Sequence, residues 1–119
     1  MSARKTNPAF LNGIPEMLLL ELLSRQAMHG YELVQAIRAI SHGQLEFGEG
    51  CIYPILHRLE SQKLLVAGKQ TVAGRQRVVY RATAKGKAQL ASSVDTWRRV
   101  VAAVTHALNG GEHGRAALA

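Results

Sequence analysis

The last quarter of the chain has the periodicity of one long amphipathic helix. Between residues 84 and 108 large apolar side chains recur at intervals of 4, 3, 4, 3 and 4 residues, at Leu90, Val94, Trp97, Val101, Val104 and Leu108. This a/d repeat predicts a rod of roughly 37 Å at 1.5 Å per residue. A small domain is too short to cover such a rod, so the seam predicts a helix-to-helix contact with a second copy. The alternative is that the seam packs only on its own domain.

Length and composition predict one small domain without a catalytic or metal-binding site. The chain has 119 residues, of which 47% are hydrophobic, and a second independent core would not fit. The single cysteine excludes an internal disulfide and a cysteine-rich zinc site. The histidines lack metal-ligand spacing, and we find neither a nucleophile motif nor a glycine-rich phosphate loop. We therefore expect no metal, no cofactor and no enzyme activity.

No segment has the features of a membrane anchor or a signal peptide. The basic N-terminus lacks an apolar run before a small-residue cleavage site. The most apolar window, residues 14–23, is shorter than the roughly 20 residues a bilayer requires, and Glu16 and Glu21 interrupt it. The sequence therefore predicts a soluble, cytoplasmic protein without a membrane partner.

Positive charge is concentrated in the second half of the chain. The formal net charge is +7: residues 1–62 carry five basic and six acidic side chains, a net of −1, and residues 63–119 carry ten and two, a net of +8. Such an imbalance indicates a polyanionic partner, either nucleic acid or an anionic membrane.

Hydrophobic periodicity and turn signals predict five further elements. Pro15 suits the first turn of a helix, and Gly43 marks a helix end. Pro54 lies inside the third predicted helix, where we expect a loosened first turn. Gly74 is available for a positive φ between two strands. The predicted elements are helices at residues 14–24, 30–41 and 49–62 and strands at residues 65–71 and 76–83.

The order of these elements is that of a winged helix-turn-helix. The fold class is mainly α with a small β-hairpin, followed by the long helix. In this layout the third helix enters the major groove and the hairpin follows the phosphate backbone. The hairpin presents a basic face made of Arg75, Arg77 and Arg81. We predict four regions: a disordered basic N-terminus (1–9), a winged-helix DNA-binding domain (10–83), a dimerisation helix (84–109) and a disordered tail (110–119).

Three stretches in this order resemble the PadR-like transcriptional regulators over about residues 10–109. They are MHGYEL at 28–33, GCIYPILHRLE at 50–60, and GRQR at 74–77 with YRATAKG at 80–86. The sequence departs from the family pattern at Cys51, Lys63 and Ala82. The single terminal helix is similar to that of the shorter subgroup, in which the resemblance implies dimerisation through this helix with help from the first one.

Candidate DNA contacts follow from this layout. Tyr53 and His57 lie one helical turn apart and reach one groove together, unless the Tyr53 ring packs on the core. Tyr31 lies at a helix N-terminus, a place suited to phosphate, or packs inward. Arg58 reaches phosphate or pairs with a glutamate. The full predicted set is Tyr31, Tyr53, His57, Arg58, Lys63, Arg75, Gln76 and Arg77.

Two further residues carry hypotheses of their own. Trp97 is either a core residue of the dimer interface or a wall of an inter-subunit pocket for planar aromatic ligands, as the resemblance implies for some members. Cys51 lies in the first turn of the predicted third helix, where the helix dipole lowers a thiol pKa. It is therefore either a redox switch in the DNA interface or a small filler.

The sequence thus predicts a homodimeric, sequence-specific DNA-binding transcriptional regulator. We expect a repressor that binds a double-stranded operator and is released by a small-molecule effector at the dimer interface. The alternative is a winged-helix dimer that binds protein or small molecules without sequence-specific DNA binding, since residues 49–63 carry few basic side chains.

Overall fold

The computed structural model describes residues 13–110 and confirms the predicted mainly helical architecture with one hairpin. Each predicted boundary lies within one residue of the observed one. The predicted disordered segments lie outside the described residues, apart from Gly110. The elements are α1 (Ile14–Arg25), α2 (Gly30–Ile40), α3 (Glu49–Ser61), β1 (Leu65–Val72), β2 (Arg75–Ala82) and α4 (Ala84–Leu108).

One apolar core lies between the first three helices and the base of the hairpin. No charged or polar residue among those described is buried. Each fully buried leucine or isoleucine contributes about 1.5–3 kcal/mol of transfer free energy, and this drives the helices together. The core consists of Leu19, Leu20, Leu22, Leu23, Leu33, Ile37, Phe47, Ile52, Leu56, Leu59, Leu64, Leu65, Tyr80 and Ala82.

The ends of α2 are defined by local hydrogen bonds. At its start, the His29 N–H donates to Glu32 Oε1 at 3.0 Å, and the Glu32 N–H donates to His29 Nδ1 at 3.4 Å. This capping box satisfies two N–H groups that have no helical acceptor. At its end, Gly43 has a φ of +77° and its N–H donates to Arg38 O at 2.8 Å, which confirms the predicted stop.

Helix α3 runs without a break through Pro54, as expected. The Cys51 and Ile52 N–H groups both donate to Gly48 O at 3.0 Å. The first turn therefore mixes the i+3 bond of a 3₁₀ turn with the i+4 bond of an α-helix. Pro54 is exposed on the solvent side of the helix.

The hairpin pairs Leu65 with Ala82 at its base and Val72 with Arg75 at its tip. Its two-residue turn places Ala73 at a φ of +53° and Gly74 at +78°, the positive pair of a type I′ turn. The sequence predicted the positive φ only at the glycine.

A short bridge that the sequence did not predict widens this sheet. Met28 and Tyr80 exchange two backbone hydrogen bonds, of 3.1 Å and 2.8 Å. The bridge fixes the link between α1 and α2 against the inner strand of the hairpin.

Helix α4 leaves the domain soon after it begins. Gly86 is its only buried residue, and Leu90 packs against the edge of the core. Farther along, Trp97 is 42% exposed and Leu108 is 81% exposed. The outer part of the apolar seam is therefore uncovered in the single chain. Within residues 13–110, no helix is both long and apolar enough to cross a membrane.

Candidate nucleic-acid interface

The outer surface of α3 is a ridge of small and polar side chains. Its four residues are spaced 4, 3 and 4 positions apart and are all exposed. They lie opposite the buried side of α3, which is formed by Ile52, Leu56 and Leu59. A Cβ added to Gly50 would have no neighbour within 4 Å. A low ridge of this kind allows a helix to approach base edges closely. Its members are Gly50, Pro54, His57 and Ser61.

Tyr53 lies beside this ridge, between α3 and α2. Its ring packs so closely on Gly30 that a Cβ there would lie 2.5 Å from Tyr53 Oη. The ring is half-buried at the edge of the core, and its centroid is 6.3 Å from that of His57. The structure therefore places Tyr53 and His57 side by side, with the Tyr53 hydroxyl at the first residue of α2.

Tyr31 is on the surface and does not pack into the core. It is 52% exposed, and Tyr31 Oη accepts a hydrogen bond from Gln35 Nε2 at 3.0 Å. Its ring is nearly parallel to that of His29, with centroids 6.5 Å apart. Tyr31 thus flanks the N-terminus of α2, where backbone N–H groups favour an anion.

Arg58 lies on the flank of α3 that faces α1. Its Nη2 is 2.6 Å from Glu16 Oε1, and its Nη1 donates to Gln62 Oε1 at 3.5 Å. Of the two predicted roles, the structure shows the glutamate pair. No local sequence pattern identifies Glu16 as the partner of Arg58, because the two residues are 42 positions apart.

Lys63 occupies the turn that ends α3. Its φ is +64°, its N–H donates to Glu60 O, and the Leu64 N–H donates to Leu59 O, both at 2.9 Å. This is a Schellman motif, in which the position held by Lys63 is usually glycine. The lysine side chain is exposed at the C-terminal end of α3.

The hairpin separates its predicted contacts onto two faces. Successive strand residues point to opposite sides, so Arg75, Arg77 and Arg81 lie on the face opposite Tyr80 and the core. Gln76 lies on the other face, opposite Thr71 in the register. No carboxylate among the described residues forms an ion pair with the three arginines, which leaves their guanidinium groups available for an anionic partner.

The thiol of Cys51 does not have the predicted electrostatics. Burial raises its pKa above the ordinary value, because the thiolate loses hydration. The expectation that the helix dipole lowers this pKa is therefore wrong. No cluster of three or more metal-binding side chains occurs within residues 13–110.

Helices α1 and α4 enclose an apolar groove of about 660 Å³. Trp97, Val101 and Val104 of the predicted seam line it, and Ile14 and Met17 of α1 form the opposite wall. The remaining seam residues are placed differently. Leu90 packs on the domain core, and neither Val94 nor Leu108 lines the groove.

Comparisons with known proteins agree with this arrangement. Residues 19–92 match the model of the Transcriptional regulator PadR-like family. Transcriptional regulator Rv3488 of Mycobacterium tuberculosis is 39% identical over 85 residues, which are 71% of this chain and 73% of that protein.

Solved structures show the same fold. A PadR-like transcriptional regulator from Bacillus cereus has a TM-score of 0.75 at 32% identity, covering 86% of this chain and 98% of its own. A PadR family regulator from Eggerthella lenta has a TM-score of 0.73 at 29% identity, covering 84% and 86%. These relatives are regulators and not enzymes, in agreement with the sequence analysis. The chain belongs to the PadR-like family of transcriptional regulators.

Proposed function

We propose that this regulator is a homodimeric repressor that binds a roughly palindromic operator. Each copy presents α3 to a major groove and the arginine face of the hairpin to the flanking phosphates. The observation that carries the proposal is the set of three arginines, Arg75, Arg77 and Arg81, without an acidic partner among the described residues. They lie on one face of a hairpin that directly follows α3.

The uncovered seam of α4 supports dimerisation. Its apolar side chains stay in contact with water in the single chain, and burying them stabilises association by about 25 cal/mol per Å². We expect sedimentation velocity to show a dimer and Val104→Glu to yield monomers. Ala102→Glu is the matched control, because Ala102 lies on the opposite face of the same helix. A monomeric parent chain would contradict the proposal.

A salt titration tests DNA binding. The parent chain should show log affinity falling linearly with log salt, with a slope of about −0.9 for each phosphate neutralised. Arg75→Ala and Arg77→Ala should each flatten the slope by about one unit if they contact phosphate. Lys69→Ala removes a charge from the other face of the hairpin and serves as the control. A flat response without preference among promoter fragments would favour the alternative, an interaction module.

The groove between α1 and α4 is the proposed effector site. A planar aromatic compound beside Trp97 releases DNA only if it binds one state of the dimer better than the other. Because Trp97 is the only tryptophan, saturable quenching of its fluorescence reports occupancy directly. Operator DNA should lower the affinity for the ligand by the same factor by which the ligand lowers the affinity for DNA. A broad panel that produces no quenching would argue against this effector class.

The repressive role is tested with a reporter placed behind the bound promoter fragment. Deletion of the regulator should raise reporter expression, and Arg75→Ala should raise it in part. A fall in expression on deletion would identify an activator.

A further inference from the structure

The first turn of α4 is tied to the end of α3 by hydrogen bonds to backbone carbonyls. Three successive carbonyls after α3 accept from this turn. Gln62 O accepts from Lys85 Nζ at 3.2 Å, Lys63 O accepts from Thr83 Oγ1 at 2.7 Å, and Leu64 O accepts from the Thr83 N–H at 3.0 Å. The segment that ends α3, the helix proposed to face DNA, therefore also holds the start of α4.

The hydroxyl of Thr83 serves both helices at once. It accepts from the Gly86 N–H at 3.0 Å and so caps α4. Its proton is donated to Lys63 O, with Leu64 O a second acceptor at 3.1 Å. One side chain thus begins α4 and binds the turn that ends α3.

Gly86 brings the two backbones into direct contact. A Cβ at this position would overlap Leu64 O and would also lie 3.5 Å from Leu20 Cδ2. Gly86 is buried and lies inside a helix, where glycine costs roughly 0.5–1 kcal/mol relative to alanine. The close contact between the two backbones explains why glycine occupies this position. Because no side chain separates the backbones, none can adjust to a change in the angle between α3 and α4.

We propose that Thr83, with Lys85 and Gly86, forms a rigid joint that sets the separation of operator half-sites accepted by the dimer. The bound carbonyls belong to the Schellman turn, which is itself hydrogen-bonded to α3. A change in the angle between α4 and α3 therefore breaks hydrogen bonds of the joint. This inference rests on the proposed dimer, in which α4 joins the two copies. Thr83 is accordingly a positioning residue and does not itself contact DNA.

Operators of altered spacing test the joint. A duplex is first selected from a random library with the parent chain, and its central spacer is then lengthened and shortened by one base pair. Each step moves a half-site by about 3.4 Å and rotates it by about 35°. The readout is the ratio of the affinity for the original spacer to that for the altered one.

Thr83→Asp separates the two roles of the hydroxyl. An aspartate still accepts from the Gly86 N–H and caps the helix, but it has no proton to donate to Lys63 O. We expect the spacing ratio of Thr83→Asp to fall roughly tenfold below that of the parent. Thr83→Ser keeps both roles and should retain the parent ratio.

Ser41→Ala is the matched control for general loss of stability. The Ser41 hydroxyl also bridges a helix end and the following loop, accepting from the Leu45 N–H at 3.0 Å, but it lies at the end of α2. Ser41→Ala should lower the denaturation midpoint without changing the spacing ratio. If Thr83→Asp fails to fold, Lys85→Met replaces it in the test. Lys85→Met removes the exposed hydrogen bond to Gln62 O, and we expect it to lower the spacing ratio by less than Thr83→Asp would.

The outcomes separate this inference from the proposed function. A monomeric parent chain overturns both. A dimeric parent that binds the selected duplex but ignores its spacing overturns the joint alone. If the parent is selective for spacing and a folded Thr83→Asp has the same spacing ratio as the parent, the joint alone is overturned. The same holds for Lys85→Met where that variant replaces Thr83→Asp. A Ser41→Ala ratio that falls as far as that of Thr83→Asp also overturns it.

Discussion

Arg58 of α3 and Glu16 of α1 form an ion pair in which Arg58 Nη2 lies 2.6 Å from Glu16 Oε1. Glu16 also lines the groove between α1 and α4. The guanidinium of Arg58 is therefore held by the protein's own carboxylate on the flank of α3. The pair is about half exposed on the arginine side, so it adds less than about 1 kcal/mol to stability, and its main consequence concerns DNA.

Glu16→Gln should strengthen DNA binding. The substitution removes the carboxylate that competes with phosphate for Arg58, so we expect a salt slope steeper by about 0.9. Glu21→Gln is the control, because Glu21 pairs with Arg25 of the same helix and not with Arg58. An unchanged slope in Glu16→Gln would show that Arg58 does not reach phosphate.

Gly30→Ala should destabilise the fold although alanine is the better helix former. The added methyl group would overlap the ring of Tyr53, and overpacking of this kind costs about 1–3 kcal/mol. Urea unfolding measures the loss, and adding Tyr53→Ala to Gly30→Ala should recover part of it.

Gly50→Ala provides the opposite expectation for a glycine in a helix. Because a Cβ there meets no neighbour within 4 Å, the substitution should stabilise by about 0.5–1 kcal/mol. Equal effects at Gly30 and Gly50 would contradict the close contact with Tyr53.

Lys63→Gly should raise the free energy of unfolding by about 1 kcal/mol. The lysine has a φ of +64°, where an L-residue with a Cβ is strained and glycine is not. Lys69→Gly removes the same side chain from an extended strand position and should destabilise. A loss of stability in Lys63→Gly would indicate that the side chain contributes more than the strain costs.

Cys51 should be slow to react at neutral pH. Because burial raises its pKa, the folded state holds the thiol proton more tightly than the unfolded state. Stability is therefore unaffected at neutral pH and falls only as pH rises above the ordinary thiol pKa. Peroxide at pH 7 should leave DNA binding of the parent and of Cys51→Ser equally unchanged. A peroxide-sensitive parent beside a resistant Cys51→Ser would restore the redox hypothesis.

The sequence predicted the elements because their signals are local. The seam of α4, the stop at Gly43 and the turn at Gly74 depend on residues within a few positions of each other, and hydrophobic period and backbone preference act over that range. The basic face of the hairpin follows equally from strand alternation. The sequence did not predict the positive φ of Ala73 or the pairing of Met28 with Tyr80.

The candidate site was predicted only in part. The sequence placed Tyr53 beside His57 through their helical spacing, and Arg75 beside Arg77 through alternation. It grouped Gln76 with those arginines, whereas the hairpin turns that side chain to the other face. It also left two roles open for Arg58, because no local pattern indicates which distant acid a surface arginine meets.

Thus the sequence alone determined a winged helix-turn-helix with a basic hairpin and a protruding apolar helix. Only the tertiary structure decided that Glu16 holds Arg58, that Gly30 admits the Tyr53 ring, and that Thr83 joins the ends of two helices. The physical reason is distance along the chain. Such contacts join segments about 20 to 40 residues apart. The packing of the shared core, rather than local propensity, brings those segments into contact.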